Sequence, residues 1–128
     1  MKNETLQWLK YAEENLQSAK VLLDSKLYNP CLQNAQQAVE KMLKAVLVER
    51  AIKFKKTHSI GELTRLLTKN KIIVDLAIED RELLDSIYLP SKYPLGSVLP
   101  NFEPDKNVCR RSIEIAEKLE SSIAQILG

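Results

Sequence analysis

The feature of this sequence that most constrains its fold is residues 30–52, where apolar residues recur at helical spacing. Steps of 3 and 4 separate Leu32, Ala35, Val39, Met42 and Val46, which is the period of an α-helix. The apolar arc is widened by Ala38, Leu43, Ala45, Leu47 and Val48. A helix that is apolar around much of its circumference is usually buried, so the pattern predicts a central helix with other helices packed around it.

The same period predicts four further helices. The first covers residues 3–25, and its apolar stripe is Leu9, Ala12, Leu16, Ala19 and Leu23. Asn29 is a suitable cap for the central helix, and Pro30 suits its first turn. Ser59 and Glu62 form an S-x-x-E capping box that starts a helix near Ile60, which ends before residue 70. The other two helices are predicted at residues 74–88 and from residue 104 or 105 to residue 127.

Prolines set the segment from residue 89 to residue 105 apart. It holds Pro90, Pro94, Pro100 and Pro104, four of the five prolines of the chain. Because proline opposes helix, the segment is predicted to be a long irregular loop. Strand-like alternation is absent, and 128 residues suit one domain. We therefore predict an all-α fold, an up-and-down bundle of about five helices with a Pro-rich loop before the last one, as a single domain over residues 1–128.

The chain contains few cysteine and histidine residues, which are kinds that bind metals or cofactors. Cys31 and Cys109 are far apart and match no metal-ligand spacing, and His58 is the single histidine. We expect no metal site and no cofactor. No apolar run suits a membrane span or a signal peptide, so we expect a cytoplasmic protein that does not associate with membranes. The cysteines are interpreted as buried thiols in a reducing compartment.

Polar and basic residues concentrate on and just after the central helix. The polar strip of that helix is Gln33, Gln37, Glu40, Lys41 and Lys44. Residues 41–56 contain six Lys or Arg and one Glu, a net +5 in a chain whose net charge is +2. Such a patch either binds the phosphates of RNA, DNA or a nucleotide, or is a solvated face.

The single histidine also has two interpretations. His58 is either an acid/base group, since an imidazole titrates near neutrality, or a structural residue that bonds a helix end and packs. The chemistry of a lone histidine favours the structural interpretation.

Five short motifs, in order along the chain, resemble those of the HEPN domain family of helical proteins. The opening W-x3-A-x2-[DN]-L is represented by Trp8, Ala12, Asn15 and Leu16. Residues 28–31 resemble the turn into the second helix, and residues 36–45 are similar to Q-Q-A-x-E-K-x-L-K-A. His58 with Leu63 and Leu66 resembles H-x-[LI]-x2-L. Residues 88–94 resemble the loop Y-x-P-[ST]-R-Y-P, with Lys92 in place of the usual Arg.

The resemblance implies an up-and-down helical bundle that commonly dimerises and is connected with nucleotides or RNA. Many members of that family bind a minimal nucleotidyltransferase, often as a toxin–antitoxin pair. Some are metal-independent ribonucleases with an R-x4-6-H motif. In this chain the nearest arginine before His58 is Arg50, with seven residues between them, and Ala51 follows it where the motif has a polar residue. The ribonuclease motif is therefore absent.

Three hypotheses follow. The first is a HEPN-type accessory or toxin–antitoxin protein, a homodimer that binds a nucleotidyltransferase partner or a nucleotide and has little or no catalytic activity. Its predicted site residues are Gln37, Glu40, Lys41, Lys44, Lys92 and Tyr93, together with His58. The second is a metal-independent ribonuclease toxin that uses His58 with Arg50 or a lysine. The third is a structural dimer without a ligand, in which Lys41 and Glu40 pair inside the fold and no pocket opens beside them.

Overall fold

A computed structural model of the chain describes residues 1–92, with side chains as far as Tyr88, and residues 104–128. These residues form five helices: α1 (Asn3–Asp24), α2 (Tyr28–Glu49), α3 (Ile60–Lys69), α4 (Ile78–Lys92) and α5 (Lys106–Leu127). Neither described range contains a strand, and the predicted all-α bundle is confirmed. None of the described helices is long and apolar enough to cross a membrane.

Helix α2 lies at the centre of the bundle and contacts each of the other four helices. The predicted stripe of Leu32, Ala35, Val39, Met42 and Val46 is buried, with at most 2% of each residue exposed. Burying one large aliphatic side chain contributes about 1.5–3 kcal/mol. The predicted central helix is therefore confirmed, and its packing explains why a chain of this length builds one continuous core.

The ends of α2 differ from the prediction by a few residues. The helix begins at Tyr28, and its N-cap is Leu27, which makes no side-chain hydrogen bond. The prediction that Asn29 caps it was wrong, because Asn29 is already helical. Pro30 is the third helical residue, within the first turn, where its missing N–H has no intrahelical partner to lose.

Three helices end in the same way, with a left-handed residue that is not glycine. Lys26 after α1, Ala51 after α2 and Lys71 after α3 have φ of 60°, 55° and 63°. After α2, the Ile52 N–H then donates to the Leu47 carbonyl at 2.9 Å, the long bond of a Schellman motif. The chain has only 3 glycines, and these three helices stop at strained non-glycine positions. This turn ends α2 at Glu49, before the predicted residue 52.

Helix α4 is shifted by four residues from its prediction. It begins at Ile78 because the chain turns just before it, where the Leu76 N–H donates to the Val74 carbonyl at 2.9 Å. It continues to Lys92 and includes Pro90, which removes one backbone hydrogen bond from its last turn. The predicted loop was therefore wrong over residues 89–92, and its following part, residues 93–103, lies outside the described residues.

Candidate functional site

Two side chains of the predicted site, Lys44 and His58, contact the carboxylate of Glu40. This residue is 3% exposed. Its Oε2 lies 2.9 Å from Nζ of Lys44, one helical turn later on α2, and that lysine is also buried. Its Oε1 lies 3.1 Å from Nδ1 of His58, which belongs to the segment between α2 and α3. A buried carboxylate is tolerated when it is paired and hydrogen-bonded, and here it has both kinds of partner.

The imidazole of His58 is held on one side and open on the other. Its side chain is 45% exposed, and its ring stacks on Tyr88 of α4 with centroids 4.9 Å apart and an interplanar angle of 16°. Because a carboxylate can only accept, Nδ1 carries the proton in this contact. In the neutral ring, Nε2 is then the basic nitrogen, and it has no hydrogen-bond partner among the described side chains.

Two adjacent glutamines on α2 complete the network. Nε2 of Gln37 donates to Oε1 of Gln36 at 2.8 Å and lies 3.4 Å from Oε1 of Glu40. Gln36 is 1% exposed and donates to the backbone carbonyl of His58 at 3.1 Å. The sequence prediction included Gln37 and missed Gln36. The signal was present, because Gln36 belongs to the same Q-Q-A-x-E-K segment.

The two lysines of the strip also contact aromatic rings of α1. Nζ of Lys44 lies 5.6 Å from the ring centroid of Trp8, and Nζ of Lys41 lies 6.0 Å from that of Tyr11. These distances suit cation–π attraction. A cavity of about 170 Å³ opens beside the rings of Trp8 and Tyr11. These aromatic residues were not predicted as part of the site.

Lys41 and Glu40 do not pair with each other. Lys41 instead donates to Oδ1 of Asn15 at 2.6 Å, and Glu40 pairs with Lys44. Pairing inside the fold is therefore present, as the structural-dimer hypothesis requires, but the partners it named were wrong.

Arg50, which the ribonuclease hypothesis paired with His58, does not join this cluster. The guanidinium of Arg50 donates to the carbonyl of Ile126 at 3.3 Å. Arg50 is also ten residues from Glu40, which corresponds to roughly 15 Å along the helix axis. Lys92 is the last residue of α4, its side chain lies outside the described residues, and so does all of Tyr93.

The start of α3 fixes the segment that carries His58. Ser59 caps the helix as predicted, and its Oγ accepts the Glu62 N–H at 3.1 Å. The carboxylate of Asp85, on α4, accepts the N–H groups of Ile60 at 2.6 Å and Gly61 at 3.0 Å. Asp85 was missed, because a cap supplied from a distant helix leaves no local pattern in the sequence. It ties α3 to α4 directly beside His58.

In the part of the chain that the structure describes, no group of three or more His, Cys, Asp or Glu side chains is placed to hold a metal ion. The chemistry available is that of an oriented imidazole, two ammonium groups and two aromatic rings. This set can bind a phosphate, stack on a flat ring and exchange a proton.

Comparisons with known proteins agree with this architecture. The family model of the HEPN domain matches residues 5–126. Two solved structures are similar over nearly the whole chain. The archaeal HEPN homologue ST0689 is 24% identical with a TM-score of 0.75 and covers 100% of both chains. TT1696 from Thermus thermophilus is 23% identical with a TM-score of 0.74 and covers 97% of this chain and 98% of its own. At these identities the similarity shows a common fold.

One curated relative is similar over part of the chain. A protein of Methanocaldococcus jannaschii, named "Putative toxin MJ1304", is 38% identical over 73 residues. The match covers 57% of this chain and 44% of that relative, so the aligned region spans less than half of the relative's length.

Proposed function

This chain belongs to the HEPN domain family, and from that premise we propose that it is a toxin–antitoxin or accessory protein whose Glu40 cluster binds a nucleotide. We define the Glu40 cluster as Gln37, Glu40, Lys41, Lys44 and His58. The name of the Methanocaldococcus relative supports the toxin–antitoxin part of the proposal. In this proposal, the protein acts as a homodimer with a minimal nucleotidyltransferase as partner.

The observation that carries the proposal is that His58 is bonded to a buried carboxylate while nearly half of its side chain is exposed. The ring is fixed through Nδ1 on Glu40 and through its stack on Tyr88, while 45% of its side chain stays exposed. A histidine with a purely structural role needs no such opening. One that is held on one edge and exposed on the other is oriented for a ligand.

The charges and rings around the cluster suit a nucleotide. Lys44 offsets the charge of Glu40, so the buried carboxylate does not repel an approaching phosphate. Lys41 adds a further positive charge about one helical turn from Lys44. The rings of Trp8 and Tyr11 lie on the α1 side of these lysines, and aromatic rings are common stacking partners for bases.

Thermal unfolding with ATP or GTP tests the nucleotide part. We expect the melting temperature of the purified protein to rise with nucleotide concentration, since a ligand that binds only the folded state stabilises it. His58→Ala and Lys41→Met should reduce this rise, whereas the exposed lysine Lys10 on α1 provides a matched control in Lys10→Met. No rise with either nucleotide, or an equal rise in all variants, contradicts binding at this cluster.

The partner and the homodimer require separate measurements. Analytical ultracentrifugation of the purified chain gives its oligomeric state, and a monomer at micromolar concentration contradicts the dimer. Affinity purification from native lysate, followed by mass spectrometry, should recover a minimal nucleotidyltransferase. Its absence under conditions that retain the homodimer contradicts the partner assignment.

A second candidate function, metal-independent RNA cleavage, is favoured by the orientation of His58. Because the Nδ1–H contacts Glu40, Nε2 is the ring nitrogen left for proton transfer. Incubation of total RNA with the protein in EDTA tests it. His58→Ala should abolish cleavage, and Glu40→Gln should weaken it. Cleavage that His58→Ala leaves unchanged removes His58 as the acid/base group.

A further inference from the structure

A second cluster of charges lies at the N-terminal end of α2, where the α1–α2 connection meets the start of α5. Three cations, Lys26, Lys106 and Arg110, line one pocket of about 270 Å³ together with Leu23, Asp24 and Tyr28. We call it the α5 pocket. Tyr28 and Glu40 are 12 residues apart on α2, roughly 18 Å along the helix. The α5 pocket is therefore separate from the Glu40 cluster.

The cations of the α5 pocket form no ion pair within the described structure. Among the described side chains, neither Lys26, Lys106 nor Arg110 has an ion-pair partner. The carboxylate of Asp105 lies next to Lys106 in sequence, but it accepts the Val108 N–H at 2.8 Å as the cap of α5. Asp24 is the one carboxylate that lines the pocket, so three positive charges face one negative charge.

This arrangement is unfavourable for the chain alone. Lys106 is the first residue of α5 and Arg110 follows one turn later on the same face. Like charges at this spacing repel each other, and cations near the N-terminus of a helix oppose its dipole. An anion in the pocket would relieve both repulsions, whereas a neutral ligand would relieve neither.

We propose that the α5 pocket binds the phosphate group of a small ligand through Lys26, Lys106 and Arg110. The guanidinium of Arg110 can give two parallel hydrogen bonds to phosphate oxygens, and the two ammonium groups add charge. The half-buried Tyr28 places a phenol in the same wall. A pocket of about 270 Å³ lies just below the range for drug-sized ligands, so the occupant is compact, no larger than a mononucleotide.

Calorimetric titration of the full chain tests this proposal with three probes: inorganic phosphate, AMP and a short single-stranded oligonucleotide. We expect phosphate or AMP to bind at low salt. Arg110→Gln should weaken that binding about tenfold, the usual effect of losing a charge-assisted hydrogen bond. Lys106→Gln should weaken it as well, and Arg110→Lys should restore part of the affinity. The matched control is Arg65→Gln, which removes an exposed arginine of α3.

The outcomes separate the alternatives. Binding of the oligonucleotide alone overturns a small-ligand site and indicates a nucleic-acid surface. An equal loss with Arg65→Gln indicates unspecific charge attraction and also overturns the proposal, as does the absence of any binding. Circular dichroism confirms that each variant is folded. Because His58→Ala leaves the α5 pocket intact, AMP binding that depends on His58 but not on Arg110 supports the Glu40 cluster and contradicts this site.

Discussion

The carboxylate of Glu40 is buried, and it contacts the ammonium of Lys44 and the imidazole of His58. Its contacts of 2.9 Å to Lys44 and 3.1 Å to His58 replace the hydration that it loses. A buried ion pair adds little net stability, but the removal of one partner leaves an uncompensated charge inside the protein. The pair of Glu40 and Lys44 therefore constrains this site. The two lysines of the α2 strip are not equivalent, because Lys41 bonds Asn15 instead.

Replacing one member of this pair should therefore be worse than replacing both. We expect Glu40→Leu to lower the free energy of unfolding by about 3–5 kcal/mol, because the ammonium of Lys44 is left buried without its partner. The double variant Glu40→Leu with Lys44→Met should regain most of that loss, as measured by urea unfolding with circular dichroism.

A surface pair provides the control. Lys20 and Glu117 lie 3.1 Å apart with 39% and 48% of their side chains exposed, and Lys20→Met should cost less than about 1 kcal/mol. If the double variant at positions 40 and 44 is as unstable as Glu40→Leu alone, the pairing does not explain the loss.

A second residue-scale prediction concerns two carboxyl groups that face each other between α1 and α5. The hydrogen bond to Glu13, followed by burial, raises the pKa of Glu120 to about 7. The pKa of Glu13 is lowered by its hydrogen bonds to Glu120 and Gln17. Between about pH 4.5 and 7, the folded state thus keeps a proton on Glu120 that the unfolded state releases. Stability should therefore fall as the pH rises through this window.

The variant Glu120→Gln keeps a hydrogen-bond donor without a titrating group. We expect it to match the wild type near pH 5 and to be more stable at pH 8, by about 1 kcal/mol once the exposure of the carboxyl group is taken into account. Thermal unfolding across this pH range measures the difference. The control Glu82→Gln, on the exposed side of α4, should leave the pH profile unchanged. An unchanged profile in Glu120→Gln contradicts the shared proton.

At the scale of the helix, the non-glycine C-termini store strain that one substitution can release. Ala51 is exposed and has φ 55°, a region that disfavours residues with a Cβ. We expect Ala51→Gly to raise the free energy of unfolding by roughly 0.5–1 kcal/mol, because glycine adopts this conformation freely.

The opposite sign is expected inside a helix. Ala124 is exposed within α5, and Ala124→Gly should lower stability by about 1 kcal/mol. Urea unfolding of both variants gives the comparison. A loss of stability in both shows that the left-handed turn after α2 is not strained.

The helices themselves were largely predictable, and their connections were not. The stripe from Leu32 to Val46 and the capping box at Ser59 are local patterns. The stripe predicted α2, and the capping box predicted the start of α3. The left-handed turn at Ala51 has no sequence signal, because alanine is a good helix former. The extension of α4 through Pro90 also runs against the preference of proline. In both places the fold overrides the local preference of the chain.

The candidate site was predictable to the extent that it lies on one helix face. Gln37, Glu40 and Lys44 share a side of α2, and the structure brings His58 to them. The spacing of four residues between Glu40 and Lys44 favours their pairing on one helix face, but it could not reveal that Lys41 bonds Asn15 of α1. It also gave no sign that Trp8, Tyr11 and Asp85 reach the site from other helices. Contacts between elements depend on packing that a single sequence does not display.

For the whole molecule, α2 joins two surfaces of different chemistry. Its middle carries the Glu40 cluster, and its first residue lines the α5 pocket. The apolar face between them is packed against α1 and α5. A long rigid helix holds the two surfaces at a fixed separation, so a compact phosphate cannot span both. The two sites can be tested independently of each other.

The cysteines report on the cooperativity of this packing. Cys31 on α2 and Cys109 on α5 are both 0% exposed, and the Sγ of Cys109 lies 3.4 Å from the carbonyl oxygen of Tyr28, to which it donates. Burial raises the pKa of both thiols, and that of Cys109 reaches about 12. At pH 8 the native protein should therefore react with a thiol reagent far more slowly than a peptide cysteine does.

Labelling should require the opening of the whole bundle. Because the two thiols face each other across the contact between α2 and α5, exposure of one exposes the other. We expect mass spectrometry during labelling with a small maleimide to show unmodified and doubly modified protein, with little of the singly modified form. The labelling rate should rise with urea in parallel with global unfolding. Selective modification of Cys109 in water would contradict this, since it would show that α5 detaches while α1 and α2 stay folded.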